Sequence, residues 1–251
     1  MNWLLLNSGK CEPAFNMALD EALLESVAYL GGPVLRFYGW NEPAATFGYF
    51  QKFAEVERTT RLRPLIRRPT GGGLVPHDAD WTYSLVFPPG HEWHALKAEE
   101  SYRRVHEWLR RAFANLKIET ELAPTAKKRF PIRTSQREEV PSQSEKSQSL
   151  LTLAASGQCF AGHEKSDLLW RGKKIAGAAQ RRNRLGLLIQ GSVQPPPVSL
   201  ARADWEQAIR KAGKVGWGMA WSDFEPDAPL QAQAQSLAAQ KYSQPEFITK
   251  R

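Results

Sequence analysis

Apolar positions come in short bursts along this chain, and their spacing changes from strand-like to helix-like several times. Trp3-Leu4-Leu5-Leu6 is a brief apolar run near the start and reads as a first β-strand. From Pro13 to Leu30 the period is helical. Phe15, Leu19, Ala22, Leu23, Val27 and Leu30 fall on one face, Pro13 suits the first turn, and Gly31-Gly32 ends it. Val34–Trp40 and Ala44–Phe50 then read as a strand pair around the turn residues Asn41-Glu42-Pro43. Pro64–Arg68 is a short strand entering a triple glycine. Trp81–Phe87 alternates as a half-buried strand does, and Pro88-Pro89-Gly90 stops it.

Ala95–Leu116 is a second long helix, with Tyr102, Val105, Leu109, Ala112 and Leu116 as its core stripe. Arg103, Arg104, Arg110 and Arg111 form its wet side. Between 123 and 149 Lys, Arg, Ser, Gln, Glu and Pro dominate, and the pattern predicts a flexible insertion. Leu150–Val193 returns to strands, with turns at Arg171-Gly172 and Asn183. Two helices follow, over Ser199–Ala212 and Pro229–Tyr242. Strands in antiparallel-looking groups with helices between them predict an α+β fold, a mixed and largely antiparallel sheet packed with helices.

Composition narrows the classes. At 251 residues, 42% hydrophobic and 24% charged, the chain is ordinary globular material and reads as one domain over 1–251. No apolar run approaches the ~20 residues that a membrane helix needs, and no basic leader precedes the first strand, so neither a membrane span nor a signal peptide is expected. Two cysteines, Cys11 and Cys159, imply no disulfide framework, and a cytoplasmic location is the expectation. The formal charge of +8 suits a polyanion. The basic residues are scattered and no nucleic-acid motif is present, so the charge points to an acidic protein partner rather than to nucleic acid or a membrane.

Three places carry candidate chemistry. Arg68-Pro69-Thr70-Gly71-Gly72-Gly73, followed by His77-Asp78, is a glycine loop after a strand. It either lets the backbone close on a ligand or is a flexible turn, and it is neither a P-loop nor a dinucleotide fingerprint. Lys173-Lys174 enters the small-residue run Ile175-Ala176-Gly177-Ala178-Ala179. A half-buried lysine there would meet a substrate carbonyl, and a solvated hairpin is the other reading. Cys159 is either a small buried hydrophobe or a nucleophile with a lowered pKa. His91 and His94 do not form HExxH, and no metal-ligand set assembles.

RRPTGGGLVPHD with WTYS after it resembles the acyl-binding signature of the lipoate-protein ligases and octanoyltransferases. GKKIAGAAQRR followed by GLLIQGSV resembles that family's second signature, and PAFNMALDEALL and LRFYGW…TFGYFQ resemble its N-terminal helix and strands. The four matches run in order from residue 3 to residue 193. The resemblance implies the biotin/lipoate ligase-like catalytic fold, with Lys174 as the family's lysine. Arg68, Thr70, Gly71, Gly72, Gly73, His77, Gly177 and Ala178 become the expected substrate-binding residues. The FYGW…GYFQ wording and the Cys159-Phe160 pair ahead of the lysine signature are similar to the cysteine-dependent octanoyltransferases. The little chain left after Val193 fits these better than ligases with an added C-terminal domain.

That subtype implies octanoyl or lipoyl transfer from acyl carrier protein through a Cys159 thioester, with no cofactor. The acceptor would be a lysine of a lipoyl-acceptor domain, the glycine cleavage H protein or a 2-oxoacid dehydrogenase E2. An ATP- and Mg-dependent lipoate-protein ligase is the alternative, and a non-catalytic acyl-binding homologue is the alternative of another class. Two positions depart from the expected pattern. Gln190 stands where the family commonly has His, and Gly73 where transferases of this type often carry a larger residue.

Overall fold

The computed structural model describes residues 2–124 and 163–250. The expected insertion from 125 onward, and Cys159, lie outside the described residues.

Along the chain come β1 (Asn2–Cys11), α1 (Pro13–Ser26), β2 (Val34–Trp40), β3 (Ala44–Phe47), α2 (Phe53–Thr59), β4 (Leu65–Arg67), β5 (Val75–His77) and β6 (Trp81–Phe87). The one-turn α3 (Glu92–Ala95), α4 (Ala98–Asn115) and β7 (Glu121–Leu122) complete the first described stretch. The second holds β8 (Leu168–Trp170), β9 (Lys173–Asn183), β10 (Gly186–Val193), α5 (Arg202–Trp217), β11 (Ala220–Asp223), α6 (Ala228–Leu237) and α7 (Pro245–Ile248). Eight strands form one sheet in the order β11-β1-β2-β6-β10-β9-β8-β7. A small sheet, β4-β3-β5, stands apart. In the large sheet only the pairings of β1 with β2 and β11 are parallel, so the fold is the mixed, largely antiparallel α+β arrangement that the pattern predicts.

Helices cover both faces of the large sheet. On one side Trp108, Leu109 and Phe113 of α4 and Trp205 and Ile209 of α5 pack on Phe37, Tyr83, Leu85, Phe87, Leu187 and Ile189. Each such fully buried side chain contributes about 1.5–3 kcal/mol by leaving water. On the other side Leu19, Leu23 and Val27, with Leu230 and Ala234 of α6, cover Val34, Val86 and Leu188.

Three local expectations are corrected. β2 and β3 are not a strand pair: β2 lies between β1 and β6, whereas β3 joins the small sheet. Asn41-Glu42-Pro43 therefore carries the chain from one sheet to the other instead of closing a hairpin. β6 is buried at all seven positions, because a central strand under helices on both faces has no wet side. The buried stripe of α4 includes Ser101, His106, Trp108 and Phe113, whereas Tyr102 and Leu116 are only half-buried.

Candidate active site

A narrow cleft opens where the small sheet faces the strands of the large one. Met17, Tyr38, Trp40, Val75, Ala178 and Ala179 give it an apolar lining, and Thr46, Arg68, Gly72, His77, Thr82, Gly177, Gln190, Gly191 and Ser192 complete it. Its polar groups are held in place by a buried network. Asp20 of α1 accepts from Arg36 Nη1 (2.7 Å) and Ser84 Oγ (2.7 Å) on one oxygen. Its other oxygen accepts from Gln190 Nε2 (2.8 Å) and Tyr38 OH (3.1 Å). Arg36 and Asp20 are both 0% exposed, so removing either partner would leave an uncompensated buried charge, at a cost of about 3–5 kcal/mol. Burial, and after it the Asp20 charge, raises the Tyr38 hydroxyl well above its ordinary pKa and keeps it a donor. Gln190 Oε1 accepts from Thr70 Oγ1 at 2.7 Å, which fastens the glycine loop to the sheet.

Arg68 organises the loop from inside. Its guanidinium donates to the carbonyls of Gly71 (2.5 and 3.0 Å), Gly73 (2.8 Å) and Thr46 (3.2 Å), and the residue is only 4% exposed. Gly72, at φ +85°, turns the chain so that its own carbonyl lies 2.0 Å from where a Cβ on Gly48 would stand. The two glycines allow β3 and the loop to touch backbone to backbone. Behind them His77 stacks on Trp40, with centroids 3.9 Å apart. Its Nδ1 faces Asp80 Oδ2 at 2.9 Å and its Nε2 faces Thr46 Oγ1 at 2.8 Å, so both ring nitrogens are engaged.

Lys174 reaches this cleft through an irregularity in β9. Ala176 pairs with Leu168 and Lys174 with Leu169, which leaves Ile175 as an extra residue on β9. Strict alternation would put positions 174 and 177 on opposite faces. The bulge re-aims Lys174, so that its Cε and Nζ lie 2.8 and 2.9 Å from the place a Cβ on Gly177 would occupy. The ammonium is 2.7 Å from Asp167 Oδ2, and both side chains are over 90% buried, at 5% and 8% exposed. Asp167 is itself fixed, accepting from the Glu164 backbone N–H at 2.7 Å. Lys173, the neighbour, is exposed.

Of the residues expected from the sequence, Arg68, Gly72, His77, Gly177 and Ala178 line the cleft. Lys174 borders it at Gly177. Thr70, Gly71 and Gly73 support it through the Gln190 and Arg68 bonds. Asp167, His106, Asp20 and Tyr38 were missed. An acidic residue just before a strand, as in Ser166-Asp167-Leu168, is the only local signal that would have suggested Asp167. Among the described residues no group of His, Cys, Asp and Glu could hold a metal ion.

A model of the lipoyl protein ligase A/B catalytic domain matches residues 12–194. An octanoyltransferase LipM from Geobacillus kaustophilus is 36% identical over 200 residues, which take in 76% of this chain and 64% of that protein. LipM of Bacillus subtilis is 34% identical over 197 residues, with the same 76% and 64% shares. The chain thus spans just under two thirds of the length of the curated relatives it matches. Among solved structures, a T. acidophilum protein with bound lipoic acid superposes with a TM-score of 0.76, covering 100% of both chains at 19% identity. A lipoate-protein ligase A bound with ATP superposes with a TM-score of 0.72 at 19% identity, covering 99% of this chain and 98% of the other. At such identities the two structures establish the fold.

Proposed function

The chain belongs to the lipoyl protein ligase A/B catalytic domain family, and on that premise we propose that it is an octanoyltransferase acting in protein lipoylation. The observation that carries the reading is the buried Lys174–Asp167 pair set beside Gly177 at the wall of an apolar cleft. A medium-chain acyl group fits an apolar lining, and its carbonyl oxygen needs a fixed positive donor when it becomes an oxyanion. A lysine held by a carboxylate is such a donor.

The donor is an octanoyl thioester of acyl carrier protein. The thiolate of Cys159 attacks the carbonyl, the new C–S bond forms, and the carrier thiol leaves with a proton. An amine from the acceptor lysine then attacks the acyl-enzyme. The C–N bond forms, the bond to Cys159 breaks, and the amine proton goes to the departing thiolate. Thioester-to-thioester exchange is nearly isoenergetic, so the first step needs no nucleotide. Lys174 donates to the carbonyl oxygen in both steps. Arg68 and Gly72 shape the cleft, and His77, Gly177 and Ala178 line it. The role of Cys159 rests on its place in the sequence ahead of the lysine signature and on the resemblance to LipM. The acceptor is a lipoyl domain, as fits a solved neighbour described as a bipartite lipoate protein ligase with its E2 lipoyl domain.

The test is substitution at the lysine pair. Losing one preorganised donor typically costs ~3 kcal/mol, a hundredfold or more in rate. Lys174→Ala should therefore be nearly inactive with an octanoyl carrier donor, and Lys174→Arg poor, since a planar fork does not replace a point charge. Lys173→Ala should stay within a few-fold of the unmodified protein. An active Lys174→Ala with a dead Lys173→Ala would overturn the assignment.

A further inference from the structure

His106 of α4 is 2% exposed, and among the described residues neither of its ring nitrogens has a hydrogen-bond partner. This sets it apart from His77, whose two nitrogens are both taken. A neutral imidazole always carries one N–H and one acceptor nitrogen, and leaving both unused inside a protein costs free energy. The titratable groups around it are Asp167 from the turn before β8, Lys174 on β9 and Tyr102 on its own helix. It feels the charges of the first two and the backbone carbonyl of the third.

Asp167 has two commitments on one oxygen, the Glu164 N–H and the Lys174 ammonium. When Lys174 turns a donor toward an acyl carbonyl its hold on Asp167 weakens, and a buried carboxylate is left short of positive charge. We propose that His106 is a positioning residue that acts through Asp167, offering its open ring N–H and its proton affinity to that carboxylate as Lys174 engages the substrate. This inference rests on the acyl-transfer reading of the site. It assigns α4 a part in the reaction that neither signature in the sequence contains.

Burial, which outweighs the pull of Asp167 and is aided by Lys174, holds the imidazole down to about 4 in the resting protein. Shifting the ammonium away from Asp167 removes one of the depressing influences and leaves the raising one. The His106 titration midpoint should therefore climb when an acyl carbonyl binds.

Octanamide is the probe, because it carries the acyl carbonyl without a charge of its own. Ring signals of His106 in the full chain, assigned by their loss in His106→Asn, are followed against pH with and without octanamide. The expected result is an upward shift of about one unit or more, together with perturbed amides at Gly177 and Ala178. In turnover, His106→Asn and His106→Phe should each lower kcat about tenfold with the donor KM unchanged. If Gly177 and Ala178 respond while the His106 midpoint stays put, the inference is overturned and the acyl site stands. If neither amide responds, the acyl-site reading falls and takes this inference with it. Two folded His106 variants with full kcat would also overturn it, and thermal unfolding of both establishes that they are folded.

Discussion

His106 and Lys174 illustrate what one residue reveals in sequence and what it hides. Lys174 stands in a recognisable string, and its neighbour Lys173 is exposed as alternation predicts. The partner Asp167 belongs to no repeating pattern, because a contact between a turn and a bulged strand leaves no periodic trace. His106 falls on the buried side of a legible helix, yet nothing in the helical period says that its ring nitrogens go unpartnered or that two charges lie near. Its burial has a consequence for stability. The folded protein holds His106 at about 4, below its ordinary 6.5, while the unfolded chain titrates normally. Between those values the unfolded state binds a proton that the folded state refuses. Stability is therefore full above about pH 6.5 and falls as pH drops toward 4, by about 3 kcal/mol in all from this group. Urea unfolding at pH 7 and pH 4.5 should show His106→Phe losing less stability on acidification than the unmodified protein. Equal losses in the two proteins would contradict this.

At the scale of elements, the helices and most strands were legible, since α1, β2, β4, α4 and β10 each carry a clear period or a clear stop. Two features were not. The small sheet pulls β3 away from β2, and that is a tertiary choice made by β4 and β5, which pair with β3 from later in the chain. The Ile175 bulge is invisible because a string of small and aliphatic residues reads equally well as an unbroken strand. Yet the bulge is what brings Lys174 round to Gly177. Gly177→Ala tests that geometry. The added methyl would meet the Cε and Nζ of a flexible side chain, not backbone, so the fold should yield easily. Displacing the ammonium should cost about tenfold or more in kcat, while the unfolding midpoint changes little. A variant with full turnover would mean that the position of Lys174 across Gly177 does not matter to the reaction.

The whole molecule ties the family region to the segment that follows it. Glu21 of α1 accepts from Lys241 Nζ (2.5 Å), Tyr242 OH (2.8 Å) and Arg181 Nη1 (2.8 Å). Burial pulls that carboxyl upward, but these partners, Lys241 first, outweigh it and hold the pKa below its ordinary value. Arg67, fully buried, donates to the carbonyls of Phe247 and Ile248 and so fixes α7 against the strand that leads into the glycine loop. The C-terminal helices thus brace the two elements, α1 and β4, from which the cleft is built. None of this was legible beforehand, because it depends on residues some 180 to 220 positions apart. With the site braced from both sides, the central claim is a property of the full chain: an acyl group moves from a carrier thioester onto this protein, and then onto an acceptor, without nucleotide. Intact mass of the full chain after mixing with octanoyl-acyl carrier protein reads that claim directly, with and without ATP and with Cys159→Ala alongside. The account predicts one octanoyl adduct on the unmodified protein in the absence of ATP, none on Cys159→Ala, and loss of the adduct when a lipoyl domain is added. No adduct without ATP, and octanoylation of the acceptor from free octanoate only when ATP is present, would contradict it.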